Sequence, residues 1–330
     1  MSDAAKRAVL VTGGAGYIGS HACKALARAG FQPVAYDNLS RGHADAVRWG
    51  PLVRGELNDT ELLRQTLRRH RIDAVMHFAA FAYVGESVAN PGLYYANNVG
   101  GMMSLLDAMH REGVDRIVFS SSCATYGVPA CQPISEDAPQ APINPYGRTK
   151  LICEWMLRDA AAATGLRHVA LRYFNAAGAD PEGEIGERHD PETHLVPLAL
   201  LAAAGRARLQ VFGTDYPTPD GTCIRDYIHV DDLARAHVMA LGHLRDGGES
   251  LALNLGTGRG QSVMDVIEAV ERVTGRSVAW NATPRRAGDP AELRADPSNA
   301  ERILGFRARH TDLDTIVSHA APWFGLAGGR

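Results

Sequence analysis

Several features that would assign this 330-residue chain to a special class of protein are scarce or missing. Only three of its 34 basic residues are lysines, and the 34 basic and 37 acidic residues leave a net charge of −3. Such a balance provides no broad basic field for nucleic acid or an anionic membrane. The longest apolar run, residues 195–204, is far shorter than the roughly 20 residues of a membrane span. We expect neither kind of partner.

Cysteine is also scarce. The five cysteines are scattered and form no Cys-x-x-Cys pair, which excludes a disulfide framework and a zinc site of that type. The first seven residues lack the apolar stretch and cleavage site of a secretory signal. These observations predict a cytoplasmic protein with reduced thiols.

The first half of the chain alternates β-branched runs with helical patterns, which is typical of a parallel sheet covered by helices on both faces. Strands are predicted at residues 8–12, 33–37, 52–55, 74–78, 116–120 and 167–171. The fold class is therefore α/β, a Rossmann doubly wound parallel sheet. After residue 175 the rhythm changes, so we predict a nucleotide-binding domain at 1–175 and a smaller α/β substrate domain at 176–330. Segments near 226–260 are expected to return to the first domain.

Helix limits can be predicted from single residues. Gly30 is expected to end a helix at 18–29, Asp59 to cap one at 62–70, and Gly113 to end another. Asn144 followed by Pro145 predicts one more helix start, because proline at the first position loses only an amide that has no partner there.

A glycine-rich turn follows the first predicted strand. In TGGAGYIGS, Gly13, Gly16 and Gly19 lie between that strand and a predicted helix. Glycines here allow a tight turn and close approach of a pyrophosphate, which the helix N-terminus attracts. Asp37 ends the second strand 18 residues beyond Gly19, where a carboxylate would accept both ribose hydroxyls of NAD and repel a 2′-phosphate. Arg41 nearby leaves NADP as an alternative.

A tyrosine and a lysine, Tyr146 and Lys150, lie four residues apart on one face of the helix that Asn144 starts. A free tyrosine has a pKa of about 10, and a nearby ammonium stabilises its phenolate. Three serines, residues 120–122, end the fifth predicted strand at the edge where doubly wound sheets bind ligands. The pattern favours acid–base chemistry beside a nucleotide.

With these motifs the chain resembles the extended branch of the short-chain dehydrogenase/reductase superfamily, and within it the UDP-glucose 4-epimerase family. The resemblance covers nearly the whole chain, through TGGAGYIGSH, DNLSRG, HFAA, VGES, YYANNV, FSSSCATYG, PYGRTK, LRYFNAAGA, ETHLVPL, VFGTDYPTPDGTCIRDYIHVDDLA, NLGTG and RRAGDPAEL. The block at residues 211–234 is the most specific, because a generic dehydrogenase has no reason to carry it.

The resemblance implies a tightly held NAD and interconversion of UDP-glucose and UDP-galactose by oxidation at C4, rotation of the 4-keto sugar and reduction on its other face. Tyr146 would be the base, Ser122 would hydrogen-bond the same sugar oxygen, and Lys150 would bind the nicotinamide ribose. Implied cofactor contacts are Gly13, Gly16, Tyr17, Ile18, Gly19, Asp37, Asn38, Glu56, Leu57, Phe78, Ala79, Asn97, Ser122, Tyr146, Lys150 and Phe174. Implied substrate contacts are Ser122, Tyr146, Asn175, Leu195, Gln210, Phe212, Arg225, Arg286, Asp289 and Leu293.

Three positions depart from the family pattern. Glu56 stands where aspartate is common, and Ala82 where lysine is common, so one cofactor contact is expected to be missing or replaced. Leu293 occupies a pocket position where many members have tyrosine. The smaller leucine predicts activity on UDP-N-acetylhexosamines as well.

Two other functions are compatible with these motifs. A UDP-pentose 4-epimerase is the nearest alternative, and a non-catalytic NAD-binding sensor is a second from another class. A dehydratase is disfavoured because residues 123–125 are Cys-Ala-Thr, where those enzymes usually have Asp-Glu. The family commonly forms homodimers, so a homodimer is expected.

No metal is predicted. His189 and His194 lie outside any His-Glu-x-x-His pattern, although His194 is a candidate nucleotide contact. Cys123, beside Ser122, is predicted to be a small buried residue rather than a nucleophile.

Overall fold

The computed structural model describes residues 7–286 and 288–327. The first six residues, part of the stretch predicted to lack a secretory signal, lie outside the described residues. The strands are β1 Ala8–Thr12, β2 Gln32–Asp37, β3 Leu52–Arg54, β4 Ile72–His77, β5 Arg116–Ser120, β6 Arg167–Tyr173, β7 Asn175–Ala177, β8 Leu209–Phe212, β9 Ile224–His229, β10 Leu251–Leu255, β11 Gly260–Ser262, β12 Trp280–Thr283 and β13 Glu292–Leu293.

The α-helices are α1 Tyr17–Arg28, α2 Thr60–Arg69, α3 Val84–Ala89, α4 Pro91–Tyr94, α5 Gly101–Glu112, α6 Pro145–Thr164, α7 Leu195–Ala203, α8 Val230–Arg245, α9 Val263–Thr274, α10 Ser298–Leu304 and α11 Leu313–Ala320. A π-helical segment, Tyr95–Gly100, joins α4 to α5, and short 3-10 turns occur at Ala44–Ala46, Cys123–Thr125 and Ala321–Phe324. No helix among the described residues is long and apolar enough to cross a bilayer.

The chain forms two compact units. Unit 1 comprises the residues up to Gly127 together with Gln140–Arg172 and Ala234–Leu253. Unit 2 comprises Val128–Pro139, Tyr173–Leu233 and the residues from Asn254 onward. The chain therefore leaves and re-enters unit 1 more than once.

Unit 1 is built on a seven-stranded sheet with the order β10-β6-β5-β4-β1-β2-β3. The five pairings from β6 to β3 are all parallel, and the order 3-2-1-4-5-6 is that of the Rossmann fold. The predicted fold class is confirmed. The strand core, including Leu10, Val75 and Ile117, is fully buried with Leu105 of α5 and Leu157 of α6, and each such side chain contributes about 1.5–3 kcal/mol on burial.

Asp59 and Gly113 bound their helices as predicted, but α1 and α2 each begin one or two residues earlier and end one residue earlier than predicted. The Asp59 side chain accepts the amide of Leu62 at the start of α2, and Gly113 ends α5 in the left-handed conformation with φ +70°. Three strands are longer than predicted, and the first of them, β2, begins one residue early at Gln32. β4 begins two residues early because Ile72 still pairs with Ala8 of β1, and β6 continues to Tyr173.

Unit 2 has its own sheets and core. β9 pairs in parallel with β7 and β13 and antiparallel with β11, while β8 and β12 form a separate two-stranded sheet. Its core packs helices α7, α9 and α11 together, with Leu200, Ile267 and Ile316 at most 2% exposed.

Candidate active site

The turn between β1 and α1 requires its glycines. Gly13 has φ +72°, and a Cβ there would lie 2.7 Å from the amide nitrogen of Ala79. A Cβ on Gly19 would lie 2.1 Å from the carbonyl oxygen of Gly13, which is closer than two such atoms ever approach. The turn therefore folds back on itself and brings the predicted residues Gly13, Gly19 and Ala79 together at the carboxyl end of β1.

The start of α1 suits an anion. Its N-cap residue is Gly16, so no side chain of this residue caps the first amides of the helix. The following residues, Tyr17 and Ile18, begin the helix and lack acidic neighbours in the first turn. Helix amides without a side-chain cap, together with the helix dipole, favour negative charge. The residues present therefore fit the pyrophosphate of a dinucleotide.

Asp37 ends β2 beside this turn. It is 8% exposed, and its carboxylate accepts the amides of Ala15 at 3.0 Å and Leu39 at 2.8 Å. Burial raises the pKa of Asp37, and the two amide hydrogen bonds oppose that rise. The same two bonds fix the carboxylate at the turn.

Arg41, the residue that made NADP an alternative cofactor, binds other side chains of the protein. Its guanidinium pairs with Glu86 at 2.7 Å and lies 4.4 Å from the ring centre of Phe81 and 4.6 Å from that of Tyr83. A cation held by a carboxylate and two aromatic rings is a poor receptor for a 2′-phosphate. The arrangement favours NAD.

Two of the departures from the family pattern, Glu56 and Ala82, lie on loops of unit 1. The Asn38 side-chain amide donates to Glu56 at 2.9 Å, so these two predicted contacts lie together beyond the ends of β2 and β3. Leu57 is buried beside them at 7% exposure. Ala82 lies on an exposed loop before α3.

Helix α6 carries the tyrosine and the lysine. The Asn144 side chain accepts the amide of Gly147 at 2.8 Å, with Pro145 in the first turn, as predicted. A Cβ on Gly147 would lie 2.4 Å from the carbonyl oxygen of Ala124. Glycine at this position therefore lets the start of α6, with Tyr146, approach the turn that follows Ser122.

Lys150 is buried at 3% exposure, and its Nζ donates to the carbonyl oxygen of Ser120 at 2.7 Å. The ammonium lies 5.8 Å from the ring centre of Tyr146 and 5.0 Å from that of Phe119. Burial lowers the pKa of Lys150 to about 8. The structure thus brings Lys150 and Tyr146 together at the carboxyl end of β5.

Sequence reasoning missed His77, which ends β4 beside this lysine. Burial and the charge of Lys150 lower the pKa of His77 to about 3, so the imidazole is neutral. Its Nδ1 lies 2.7 Å from the hydroxyl oxygen of Thr12, at the end of β1. Its position at the end of a strand next to the predicted site was the available signal.

Ser122 follows β5 and caps the next turn, its hydroxyl oxygen accepting the amide of Ala124 at 3.1 Å. It is 7% exposed. Because a hydroxyl has one proton and two lone pairs, this bond leaves the proton available for a ligand oxygen. Cys123 is buried, as predicted.

A buried ion pair between Glu154 and Arg172 holds Ser121, the residue before Ser122, in place. This pair was not predicted from the sequence. Glu154 of α6 accepts from Arg172 at 2.7 and 3.0 Å and from Ser121 at 2.5 Å, and Arg172 donates to the hydroxyl of Tyr126 at 2.8 Å. Burial alone would raise the pKa of Glu154, but the hydrogen bonds and charge of Arg172 outweigh it and lower the pKa. The pair ties α6 to β6 and to the end of β5.

Three further predicted cofactor contacts are Phe78, Asn97 and Phe174. The ring of Phe78 lies 4.6 Å from that of His237 on α8, and Asn97 donates to its neighbour Asn98 at 2.9 Å. Asn98, which was not predicted, donates to the hydroxyl of Thr149 on α6 at 3.0 Å. Phe174 lies in unit 2 and is buried.

In unit 2 the structure brings together Arg225, Asp289 and Leu293. The guanidinium of Arg225 forms a short ion pair with Asp289, and Arg225 is the register partner of Leu293 where β9 pairs with β13. Asn175 pairs with Tyr227 on the other edge of β9. Three of these predicted substrate contacts, Asn175, Arg225 and Leu293, therefore share one sheet, and Asp289 is joined to it through its ion pair with Arg225.

The remaining predicted substrate contacts lie on other elements. Phe212 ends β8, and the guanidinium carbon of Arg286 lies 3.9 Å from its ring centre. Gln210 is exposed on the same strand, and Leu195 is the first residue of α7. Phe212 is therefore stacked against a cation at the edge of the sheet rather than buried in the core.

The Rossmann strand order, the glycine turn and the buried Tyr-x-x-x-Lys pair define the class of this protein. It is a dinucleotide-binding protein of the short-chain dehydrogenase/reductase type.

Comparison with known proteins identifies the family. The chain matches the model of the NAD dependent epimerase/dehydratase family over residues 9–256. It is 54% identical over 316 residues to the UDP-glucose 4-epimerase of Rhizobium meliloti (strain 1021), with 96% of each chain covered. The chain belongs to the NAD dependent epimerase/dehydratase family, and the predicted family resemblance is confirmed.

Two solved structures are similar throughout. The UDP-glucose 4-epimerase from Brucella ovis in complex with NAD is 60% identical, with a TM-score of 0.96 over 98% of this chain and 99% of that one. The UDP-glucose-4-epimerase from Stenotrophomonas maltophila with bound NAD and formylated UDP-arabinopyranose is 44% identical, with a TM-score of 0.93 over 97% and 98%.

Proposed function

We propose that this protein is an NAD-dependent UDP-glucose 4-epimerase, which interconverts UDP-glucose and UDP-galactose. The observation that carries this proposal is the pairing of Tyr146 with the buried ammonium of Lys150 beside Ser122, in a chain whose relatives along nearly its full length are UDP-glucose 4-epimerases. Because these relatives are named for UDP-glucose, they favour a UDP-hexose as the substrate over the alternative, a UDP-pentose.

In the proposed mechanism the phenolate of Tyr146 takes the proton of the sugar C4 hydroxyl and becomes the neutral phenol. The hydroxyl of Ser122 donates to the same oxygen, because the Ala124 amide occupies one of its lone pairs and leaves its proton available. NAD held by the residues named below would supply the acceptor for the C4 hydride, which would return to the other face of C4 once the 4-keto sugar has turned. Lys150 has three donors. With one bound to the carbonyl of Ser120, the others can reach a ribose hydroxyl and stabilise the phenolate.

The cofactor contacts assigned above are proposed to divide by chemical group. Gly13, Gly16, Tyr17, Ile18 and Gly19 hold the pyrophosphate. The adenosine contacts are Asp37, Asn38, Glu56 and Leu57, and the contacts nearer the nicotinamide are Phe78, Ala79, Asn97 and Phe174.

Unit 2 is proposed to bind the UDP moiety. Arg225 and Arg286 supply guanidinium groups that bind phosphate oxygens bidentately. Asp289 orients Arg225 through their ion pair. Asn175, Leu195, Gln210 and Phe212 are proposed to contact the remainder of the nucleotide sugar.

The test uses the purified protein, UDP-galactose and no added cofactor, followed by separation of the UDP-sugars. Conversion to UDP-glucose would support two parts of the proposal: that the purified protein retains NAD, and that it inverts the configuration at C4 of the sugar. UDP-xylose, run in parallel, tests the pentose alternative. If no sugar is converted even with NAD supplied, the epimerase proposal fails and the NAD-binding sensor becomes the better hypothesis.

Replacing Asp37 with asparagine is expected to weaken NAD binding about ten- to a hundredfold, because hydrogen bonds to a charged group contribute about 1.5–3 kcal/mol. The measurement is the NAD content of the purified protein and a fluorescence titration. Asp107→Asn is the matched control, since Asp107 pairs with Arg111 on the surface of α5. Equal NAD affinity in the Asp37 variant and the control would contradict the role of Asp37.

The size of Leu293 is proposed to admit an N-acetyl group. We expect wild-type protein to convert UDP-N-acetylglucosamine, and Leu293→Tyr to lower that rate about ten- to a hundredfold relative to the UDP-glucose rate, by filling the space. Both rates are measured on both proteins. Leu293→Met, which keeps the volume, is the control. A parallel fall on both sugars in the tyrosine variant would show general damage instead of selectivity.

We also propose a homodimer in the cytoplasm. The proposed compartment rests on the five scattered cysteines, which are free thiols in the part of the chain that the structure describes. Met103 on α5 and Trp155 on α6 are 60% and 49% exposed, on helices that pack against each other. Exposed large apolar residues of this kind are typical of an interface.

The double change Met103→Glu/Trp155→Glu is expected to convert a dimer into a monomer of 35.4 kDa, because charges cannot be buried unpaired at an interface. Light scattering after size exclusion measures the mass. Trp280→Glu, on β12 and 37% exposed, should leave the dimer intact. A wild-type protein that already runs as a monomer would exclude the proposal.

A further inference from the structure

Four side chains that the proposed mechanism does not use converge in the segment between β7 and α7 of unit 2. They are Glu187, His189, Glu192 and His194, and one carboxylate oxygen or ring nitrogen from each lies within 4.8 Å of the others. Two imidazoles and two carboxylates are the ligand types that divalent transition metals take from proteins.

The separations between these atoms match the edges of a coordination polyhedron. The Nδ1 of His189 lies 3.1 Å from Glu187 and 3.6 Å from Glu192, and the Nδ1 of His194 lies 3.3 Å from Glu192. Ligands held about 2.1 Å from a tetrahedral ion lie about 3.4 Å apart. The fourth separation, 2.7 Å between His194 and Glu187, would lengthen when a cation enters.

Glu187 is the buried centre of the cluster. It is only 4% exposed, yet among the described residues its Oε1 accepts no hydrogen bond of acceptable geometry. The same holds for the Nδ1 of His194, despite their close approach. Buried polar atoms almost always have an aligned partner, and one that does not calls for a water or an ion. Both atoms belong to the group of potential ligand atoms that lie within 4.8 Å of one another.

Glu192 is held in place by the backbone. Its Oε1 accepts the amides of Thr193 at 2.7 Å and His194 at 2.9 Å. Hydrogen bonds to a ligating carboxylate fix its orientation and are a regular feature of metal sites.

We propose that Glu187, His189, Glu192 and His194 bind a divalent transition-metal cation such as Zn²⁺. With two neutral imidazoles and two carboxylates, the charge of the ligands cancels that of the ion. Four protein ligands leave no open position in a tetrahedral site, so its role is structural. His194 is the residue before α7, and the cation would therefore tie the preceding loop to the start of that helix.

The prediction of no metal from the sequence rested on the absence of a helical His-Glu-x-x-His pattern. Here the ligands follow the order Glu-x-His-x-x-Glu-x-His on a loop. This spacing has no helical periodicity, so only the folded loop brings the four groups together.

The experiment uses the full chain without a polyhistidine tag, treated with a chelator and then supplied with ZnCl₂ or CoCl₂. We expect one bound metal per chain by mass spectrometry, a rise in Tm, and the visible absorption of tetrahedral Co²⁺. Glu187→Gln and His194→Asn should each weaken Zn²⁺ binding by at least ten- to a hundredfold, since loss of an outer partner alone has that effect.

A second histidine group in unit 2 provides the control. The rings of His229, His310 and His319 lie 4.6–5.4 Å apart, and His319→Asn should leave Zn²⁺ binding unchanged. Binding that is lost in His319→Asn but retained in the other two variants would overturn the proposal. So would a wild-type chain that takes up no metal and keeps the same Tm, because the four groups would then be ion pairs alone. Should a variant fail to fold, the Co²⁺ spectrum of wild-type protein decides, and an octahedral spectrum counts against the site.

Discussion

Replacing Tyr146 with phenylalanine is expected to lower epimerisation by about 10²- to 10⁴-fold, the usual contribution of a positioned acid–base group. The ring is kept, so the start of α6 and its approach to the turn after Ser122 are preserved. Binding of UDP-sugar should therefore persist. Turnover is measured by separating UDP-glucose from UDP-galactose, and binding by calorimetry with UDP.

Tyr95→Phe is the matched control, since it removes a phenol from the π-helical segment of the same unit. It should retain wild-type turnover. Wild-type activity in Tyr146→Phe would show that this tyrosine is not the base. Loss of UDP binding together with activity would indicate a damaged fold.

Replacing Arg172 with methionine is expected to destabilise the protein by about 3–5 kcal/mol, because it leaves the carboxylate of Glu154 buried without its cation. The free energy of unfolding in urea measures the loss. Arg68→Met is the control. Arg68 is 67% exposed and pairs with Glu112 at the surface, where such pairs contribute at most about 1 kcal/mol. Equal losses in the two variants would mean that the buried pair has no special role.

The loss in Arg172→Met should also depend on pH. In the wild-type protein the pKa of Glu154 is lowered, so the ionised carboxylate stabilises the fold at neutral pH and that stability falls as acid protonates it. Without Arg172, burial is left to raise the pKa of Glu154. Protonation then relieves the buried charge, and the difference from wild type should be smaller near pH 5 than near pH 8. A deficit that is independent of pH would show that lost packing, not charge, explains the change.

The elements of the sheet and several helix limits could be predicted because their signals are local. Asn144 with Pro145 starts α6 through a hydrogen bond three residues away, and Gly113 ends α5 through its own φ angle. The glycine turn and Asp37 are equally local to β1 and β2.

The supports of the site could not be predicted, because they join residues distant in sequence. Glu154 and Arg172 are brought together only when α6 packs beside β6, and Arg41 meets Glu86 across 45 residues. His77 becomes neutral through burial, a property of the packed sheet and not of its sequence neighbours. Pattern and spacing carry no information on such pairings.

The path of the chain through unit 1 has a consequence for its synthesis on the ribosome. β6 is complete at Tyr173, but its neighbour β10 begins only at Leu251. At about 5–20 residues per second, the nascent chain spends roughly 4–16 seconds with the edge of β6 uncovered. An open edge strand is a template for wrong pairing. This interval is therefore when the nascent chain most needs a chaperone, and a fragment ending near residue 175 would retain that open edge permanently.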